Sequence, residues 1–120
     1  MSGVEVFVYG TLKRGGGNHG YLAGQRFVAA AATRPDYRLY SFNGYPGMIR
    51  APAGAGFAIP GEIWRVDRAC LARLDEMEGV AEGLYERAEA ALQPPHDRPG
   101  IQTYLYLRST DGRPEISGWT

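Results

Sequence analysis

Gly61-Glu-Ile-Trp-Arg-Val-Asp-Arg-Ala-Cys-Leu-Ala-Arg-Leu-Asp-Glu-Met-Glu-Gly79 changes its hydrophobic period in the middle, and that change decides the fold class. Up to Val66 the run is short and strand-like, with Ile63, Trp64 and Val66 as its apolar positions. Asp67 then stands where a carboxylate can accept from the free N–H groups of a helix start. Beyond it the apolar set is Cys70, Leu71, Leu74 and Met77, spaced at one, four and seven, which marks one buried stripe on a helix running to about Glu78. Gly79 suits the stop.

Outward from this stretch the chain reads mostly as strands. Val4-Glu-Val-Phe-Val-Tyr9 is rich in β-branched and aromatic residues and feeds Gly10-Thr11, so it predicts a buried first strand ending in a loop. The glycine-rich run Lys13 to Gly20 favours irregular backbone. Further strands are expected over Gln25 to Ala31, Tyr37 to Phe42, Tyr85 to Leu92 and Ile101 to Arg108, the last two separated by a proline-rich turn. Asn43 to Pro60, punctuated by glycine and proline, reads as turns. The expectation is one α+β domain over residues 1–120: a small, strongly curved mixed sheet or closed β-barrel of about six strands with flanking helices.

Composition narrows the function. Thirteen Lys+Arg balance thirteen Asp+Glu, so no net field draws a polyanion and nucleic acid is not expected as a partner. The longest apolar run, Phe27 to Ala32, is far below the roughly 18 residues needed to span a bilayer, so no membrane partner is expected. The start of the chain lacks the pattern of a signal peptide, and Cys70 is the lone cysteine, which together suggest a soluble cytoplasmic protein. His19 and His96 have no Cys/His spacing around them, so no metal site is expected. Gly15-Gly-Gly17-Asn-His-Gly20 matches G-x-G-x-x-G, but the next strand follows too soon for the required helix, and no dinucleotide or other cofactor is implied.

Two features point to chemistry. Glu78 follows Leu74 by four and Leu71 by seven, so a carboxylate sits on the buried face, whereas Glu76 points elsewhere. Burial and the negative end of the helix would both raise its pKa toward that of a useful general base. The plain alternative is an exposed helix-end glutamate, or one paired with Arg87 as a structural ion pair. The other feature is Tyr9-Gly-Thr-Leu12, where a glycine after the strand lets the chain turn sharply and present successive N–H groups to a small anion such as a carboxylate. Lys13 and Arg14, which follow, read as solvated loop charges that also suit an anionic ligand.

Taken in order, Val6-Phe-Val-Tyr-Gly-Thr-Leu-Lys-Arg-Gly15, Asn18-His19, Tyr45-Pro46, Gly61-Glu62, Leu74-Asp-Glu-Met-Glu-Gly79 and Tyr85-Glu-Arg87 resemble the γ-glutamylcyclotransferase-like family, in its short bacterial and γ-glutamylamine cyclotransferase branch. The resemblance covers about residues 4–108. It implies a small barrel with flanking helices, no cofactor, and conversion of a γ-glutamyl amine or amide to 5-oxoproline plus the freed amine. It further implies that Tyr9, Gly10, Thr11 and Leu12 bind the α-carboxylate end of the substrate, that Glu78 is the catalytic glutamate, and that Tyr85 and Arg87 form and support the pocket wall. Ala81 departs from the family, whose members commonly carry proline there. Two other readings stay open: a non-catalytic module that binds a glutamyl-like carboxylate, and a hydrolase releasing glutamate. The sequence leaves the oligomeric state open.

Overall fold

The computed structural model describes residues 3–119, and β1 (Val4–Val8) runs through the middle of its larger sheet. Successive side chains on a strand face opposite ways, and both faces of β1 are covered. Phe7 packs on one side with Ile63, Leu39 and Met48. Val6 and Val8 pack on the other with Trp64, Cys70 and Leu74. That is why the stretch is apolar almost without alternation. Each fully buried side chain of this kind contributes about 1.5–3 kcal/mol.

The remaining strands are β2 (Arg26–Ala32), β3 (Tyr37–Phe42), β4 (Tyr45–Arg50), β5 (Pro60–Val66), β6 (Tyr85–Glu89), β7 (Gln102–Tyr106) and the two-residue β8 (Glu115–Ile116). One α-helix, α1 (Arg68–Met77), follows β5, and His19–Leu22 forms a short 3-10 turn. β2, β5, β1, β7 and β6 lie side by side in that order; β1 and β7 are parallel and the other neighbours antiparallel. β4, β3 and β8 form a second, three-stranded antiparallel sheet.

The α+β class and the mixed sheet stand as expected, but the closed barrel does not. Among the described residues the architecture is two open sheets with eight strands in place of about six. The edges of the larger sheet touch at one bridge, Thr33 with Leu92, just past the ends of β2 and β6. Pro35 on one side and Pro94-Pro95 on the other have no N–H to donate, so the ladder cannot extend beyond that bridge. The expected flanking helices reduce to α1 and the 3-10 turn.

Local chemistry places α1 where the sequence put it. Asp67 is the N-cap, and its Oδ1 accepts from the Cys70 N–H at 2.7 Å. Cys70 and Leu74 are fully buried against β1 and β5. At the other end Gly79 takes φ +67°, the Gly79 N–H donates to Glu76 O at 3.1 Å, and the Val80 N–H donates to Asp75 O at 3.0 Å. This paired closure makes Glu78 the C-cap of α1 and fixes where its side chain leaves the helix end.

Candidate active site

The end of β1, the end of α1, β4 and the starts of β6 and β7's neighbourhood converge on a cavity of about 310 Å³. Tyr9, Gly10, Thr11, Leu12, Glu78 and Tyr85 all line it. Arg87 does not. Lining residues to which the sequence reading gave no role in the site include Tyr45, Pro46, Met77, Leu84 and Tyr104. They come from four separate segments, and no local pattern announces such a meeting. A second, more open and more polar depression is bounded by Arg34, Arg50, Glu89 and Arg98, and it holds none of the residues selected above.

The loop after β1 is tied down by Asn18, which itself lines the cavity, and by His19. The Asn18 N–H donates to Thr11 O and Asn18 Nδ2 donates to Thr11 Oγ1, each at 2.9 Å, while His19 Nδ1 donates to Leu12 O at 2.9 Å. The His19 ring meets Trp64 edge-on at 5.2 Å. Its role in the structure is therefore to hold the loop. Among the described residues the N–H groups of Gly10, Thr11 and Leu12 meet no acceptor, so three successive donors stay available at the cavity. Gly10 does not adopt a left-handed conformation; it is needed for close approach, because a Cβ there would lie 2.6 Å from Pro46 Cγ. Lys13 and Arg14 face other work: Lys13 Nζ donates to Trp119 O, and Arg14 Nε pairs with Glu62 at 3.2 Å.

Glu78 is half-buried, whereas Glu76 is exposed. Burial pushes its carboxyl up to about 7, and neither a hydrogen bond nor a neighbouring positive charge offsets that. Loss of solvent is the cause. The pairing with Arg87 considered from sequence is not formed, because the Arg87 guanidinium meets Asp75 through two contacts, at 3.0 and 3.2 Å. Asp75 in turn accepts from the Tyr104 hydroxyl at 2.6 Å. Arg87 thus reaches the cavity only through Asp75 and Tyr104.

The tyrosines form the rest of the wall. Tyr9 Oη donates to Tyr104 O at 2.7 Å and accepts from the Met48 N–H at 3.2 Å, and Tyr85 Oη donates to Pro46 O at 2.7 Å. The bond to Tyr104 O ties the end of β1 to β7 within the larger sheet, and the bonds to Met48 and Pro46 tie β1 and β6 to β4 across the two sheets. Burial pushes both hydroxyls well above the usual tyrosine range, so both remain protonated donors. Among the described residues no three His, Cys, Asp or Glu side chains cluster as a metal site would require. Among the described residues no helix is long and apolar enough to cross a membrane.

Residues 6–119 match the family described as "Gamma-glutamyl cyclotransferase, AIG2-like". The chain is 32% identical over 109 residues to the γ-glutamylcyclotransferase family protein YtfP of Escherichia coli K12, covering 91% of this chain and 88% of that protein. It is 34% identical over 122 residues to human γ-glutamylaminecyclotransferase, covering 88% and 78%. A Vibrio cholerae protein described as a γ-glutamylcyclotransferase shares 40% identity over 75 residues, and that match covers 62% of each chain. In structure the chain is similar to c4763, a uropathogenic E. coli protein, with a TM-score of 0.81, 30% identity, and coverage of 98% and 90%. An AIG2-like protein of Mus musculus gives a TM-score of 0.79 at 26% identity, covering 100% of this chain and 90% of that one. The chain therefore belongs to the γ-glutamyl cyclotransferase, AIG2-like family, and is an enzyme of that kind.

Proposed function

We propose that this enzyme converts a γ-glutamyl amine or amide into 5-oxoproline and the free amine, with Glu78 carrying the protons. The observation that carries the reading is Glu78 itself: an unpaired carboxyl, pushed up to about 7, in the wall of a cavity that also holds three unsatisfied N–H groups. A base is most effective when its pKa lies near the working pH. The bound α-carboxylate takes the N–H groups of Gly10, Thr11 and Leu12. The α-amine nitrogen then attacks the γ-carbonyl carbon, the new ring C–N bond forms, and the old amide C–N bond breaks.

Proton accounting needs a group that works in both directions. The substrate ammonium gives up two protons on becoming the ring N–H, and the departing nitrogen gains two on leaving as an ammonium. Glu78 passes them one at a time, as base before attack and as acid at departure. Holding the glutamyl chain folded supplies the proximity contribution, about 7–11 kcal/mol in the best intramolecular cases.

Among the described residues the cavity lining contains no Lys, Arg or His. A leaving group with its own carboxylate, such as the dipeptide of glutathione, would meet no cation there, whereas Tyr45, Met77 and Leu84 suit an uncharged or extended amine. The test is a panel of γ-glutamyl amines, amides and glutathione, with products identified by mass. Release of 5-oxoproline from amines in preference to glutathione is expected. Release of glutamate would mean a hydrolase, and binding without any product would mean a ligand-binding module.

A further inference from the structure

Three tyrosine hydroxyls border the cavity beside Glu78, and each donates its hydrogen elsewhere: Tyr9 to Tyr104 O, Tyr85 to Pro46 O and Tyr104 to Asp75 Oδ1. Two of these acceptors are backbone carbonyls held by the sheets. The third is a side chain, and it stands three residues before Glu78, so the two carboxylates are neighbours on one helix face. Tyr104, tethered 2.6 Å from Asp75, lines the same cavity as Glu78, whose charge acts on it. Asp75 is in turn gripped by Arg87 Nε and one terminal nitrogen.

We propose that Asp75, clamped by Arg87, is a positioning residue that holds the Tyr104 hydroxyl away from Glu78 and so keeps the Glu78 carboxylate free of donors. The inference rests on the reading of Glu78 as the proton carrier, and it gives Arg87 a task although Arg87 lies outside the cavity. A donor on Glu78 would stabilise its charged form and make it a weaker base. Without Asp75 the freed hydroxyl has the Glu78 carboxylate, in the same cavity wall, to turn to. The charged and titratable groups facing Glu78 are Asp75 on its own helix, Tyr9 after β1, Tyr45 on β4, Tyr85 on β6 and Tyr104 on β7, with Arg87 behind Asp75 and Glu82 in the following turn.

The experiment is a carboxyl-carbon NMR titration of Glu78 in the ligand-free protein, in the wild type and four variants. Asp75→Ala is expected to lower the midpoint by about one pH unit, the effect of one good hydrogen bond to a carboxylate. Asp75→Ala combined with Tyr104→Phe should return it to the wild-type value, because the migrating donor is gone. Tyr104→Phe alone should leave it unchanged, and Asp75→Asn, which keeps an acceptor oxygen and removes the charge, should change it by much less than Asp75→Ala. A midpoint that stays low in the double variant would assign the effect to charge and overturn the proposal. So would a shift in Tyr104→Phe alone, and, should Asp75→Ala fail to fold, a full fall in Asp75→Asn. The titration needs no turnover, so an active Glu78→Gln enzyme would sink the proton-carrier reading and leave this result to be judged separately.

Discussion

Gly10 and Pro46 touch so closely that a Cβ on Gly10 would stand 2.6 Å from Pro46 Cγ and 2.9 Å from Cδ. Pro46 cannot yield freely: its ring borders the cavity and its carbonyl accepts from Tyr85 Oη. Gly10→Ala therefore pushes one wall of the site. Overpacking of this kind costs about 1–3 kcal/mol, and we expect the loss in urea denaturation together with a raised KM. Gly10→Val should be worse on both measures. An unchanged KM in a destabilised Gly10→Ala protein would mean that Pro46 moves away from the substrate.

Asn18, also in the cavity wall, supports the same loop. Asn18→Ala removes the Nδ2 bond to Thr11 Oγ1 and leaves the backbone bond to Thr11 O intact. Losing one such hydrogen bond costs about 1 kcal/mol, or about fivefold in an equilibrium. On the proposed binding role, the three N–H donors hold the ground state and the transition state alike, so the change should appear in KM and leave kcat nearly as it was.

Stability should depend on pH through Glu78, with a definite sign. Its folded-state pKa, about 7, lies above the ordinary 4.5, so between those values the folded chain holds more protons than the unfolded one. Stability therefore falls as pH rises from 4.5 to 7, and above that window the buried charge costs up to about 3 kcal/mol. Glu78→Gln removes this dependence. Its Tm should match the wild type near pH 4 and exceed it at pH 8, a difference that paired melts across that range would measure.

Much of this was legible in the sequence, for physical reasons that differ by element. Helix α1 was readable because Asp67, the stripe through Cys70 and Leu74, and Gly79 are local signals that agree. β4 was not. Pro46 and Gly47 read as a turn, yet β4 is an edge strand, where a missing N–H costs little, and Gly47 admits the rings of Phe42 and Tyr106, which a Cβ would meet at 2.8 and 2.9 Å. β8 is too short to carry a period. In the site, Glu78 was visible as a carboxylate on an apolar face. The partner of Arg87 was not, because Asp75 and Glu78 lie one turn apart and spacing cannot separate them. Tyr104 looked like any strand tyrosine, since its role depends on a contact 29 positions away.

Glu78→Gln tests the central claim most directly. Glutamine keeps the size and much of the hydrogen bonding but takes no proton from the substrate ammonium. With Glu76→Gln as the control, 5-oxoproline release from a γ-glutamyl amine should fall in Glu78→Gln by about 10²–10⁴-fold, the usual range for a general acid–base group. Ligand affinity should stay close to wild type, and the exposed Glu76→Gln should turn over normally. Near-normal turnover in Glu78→Gln, or equal losses in the two variants, would contradict the account.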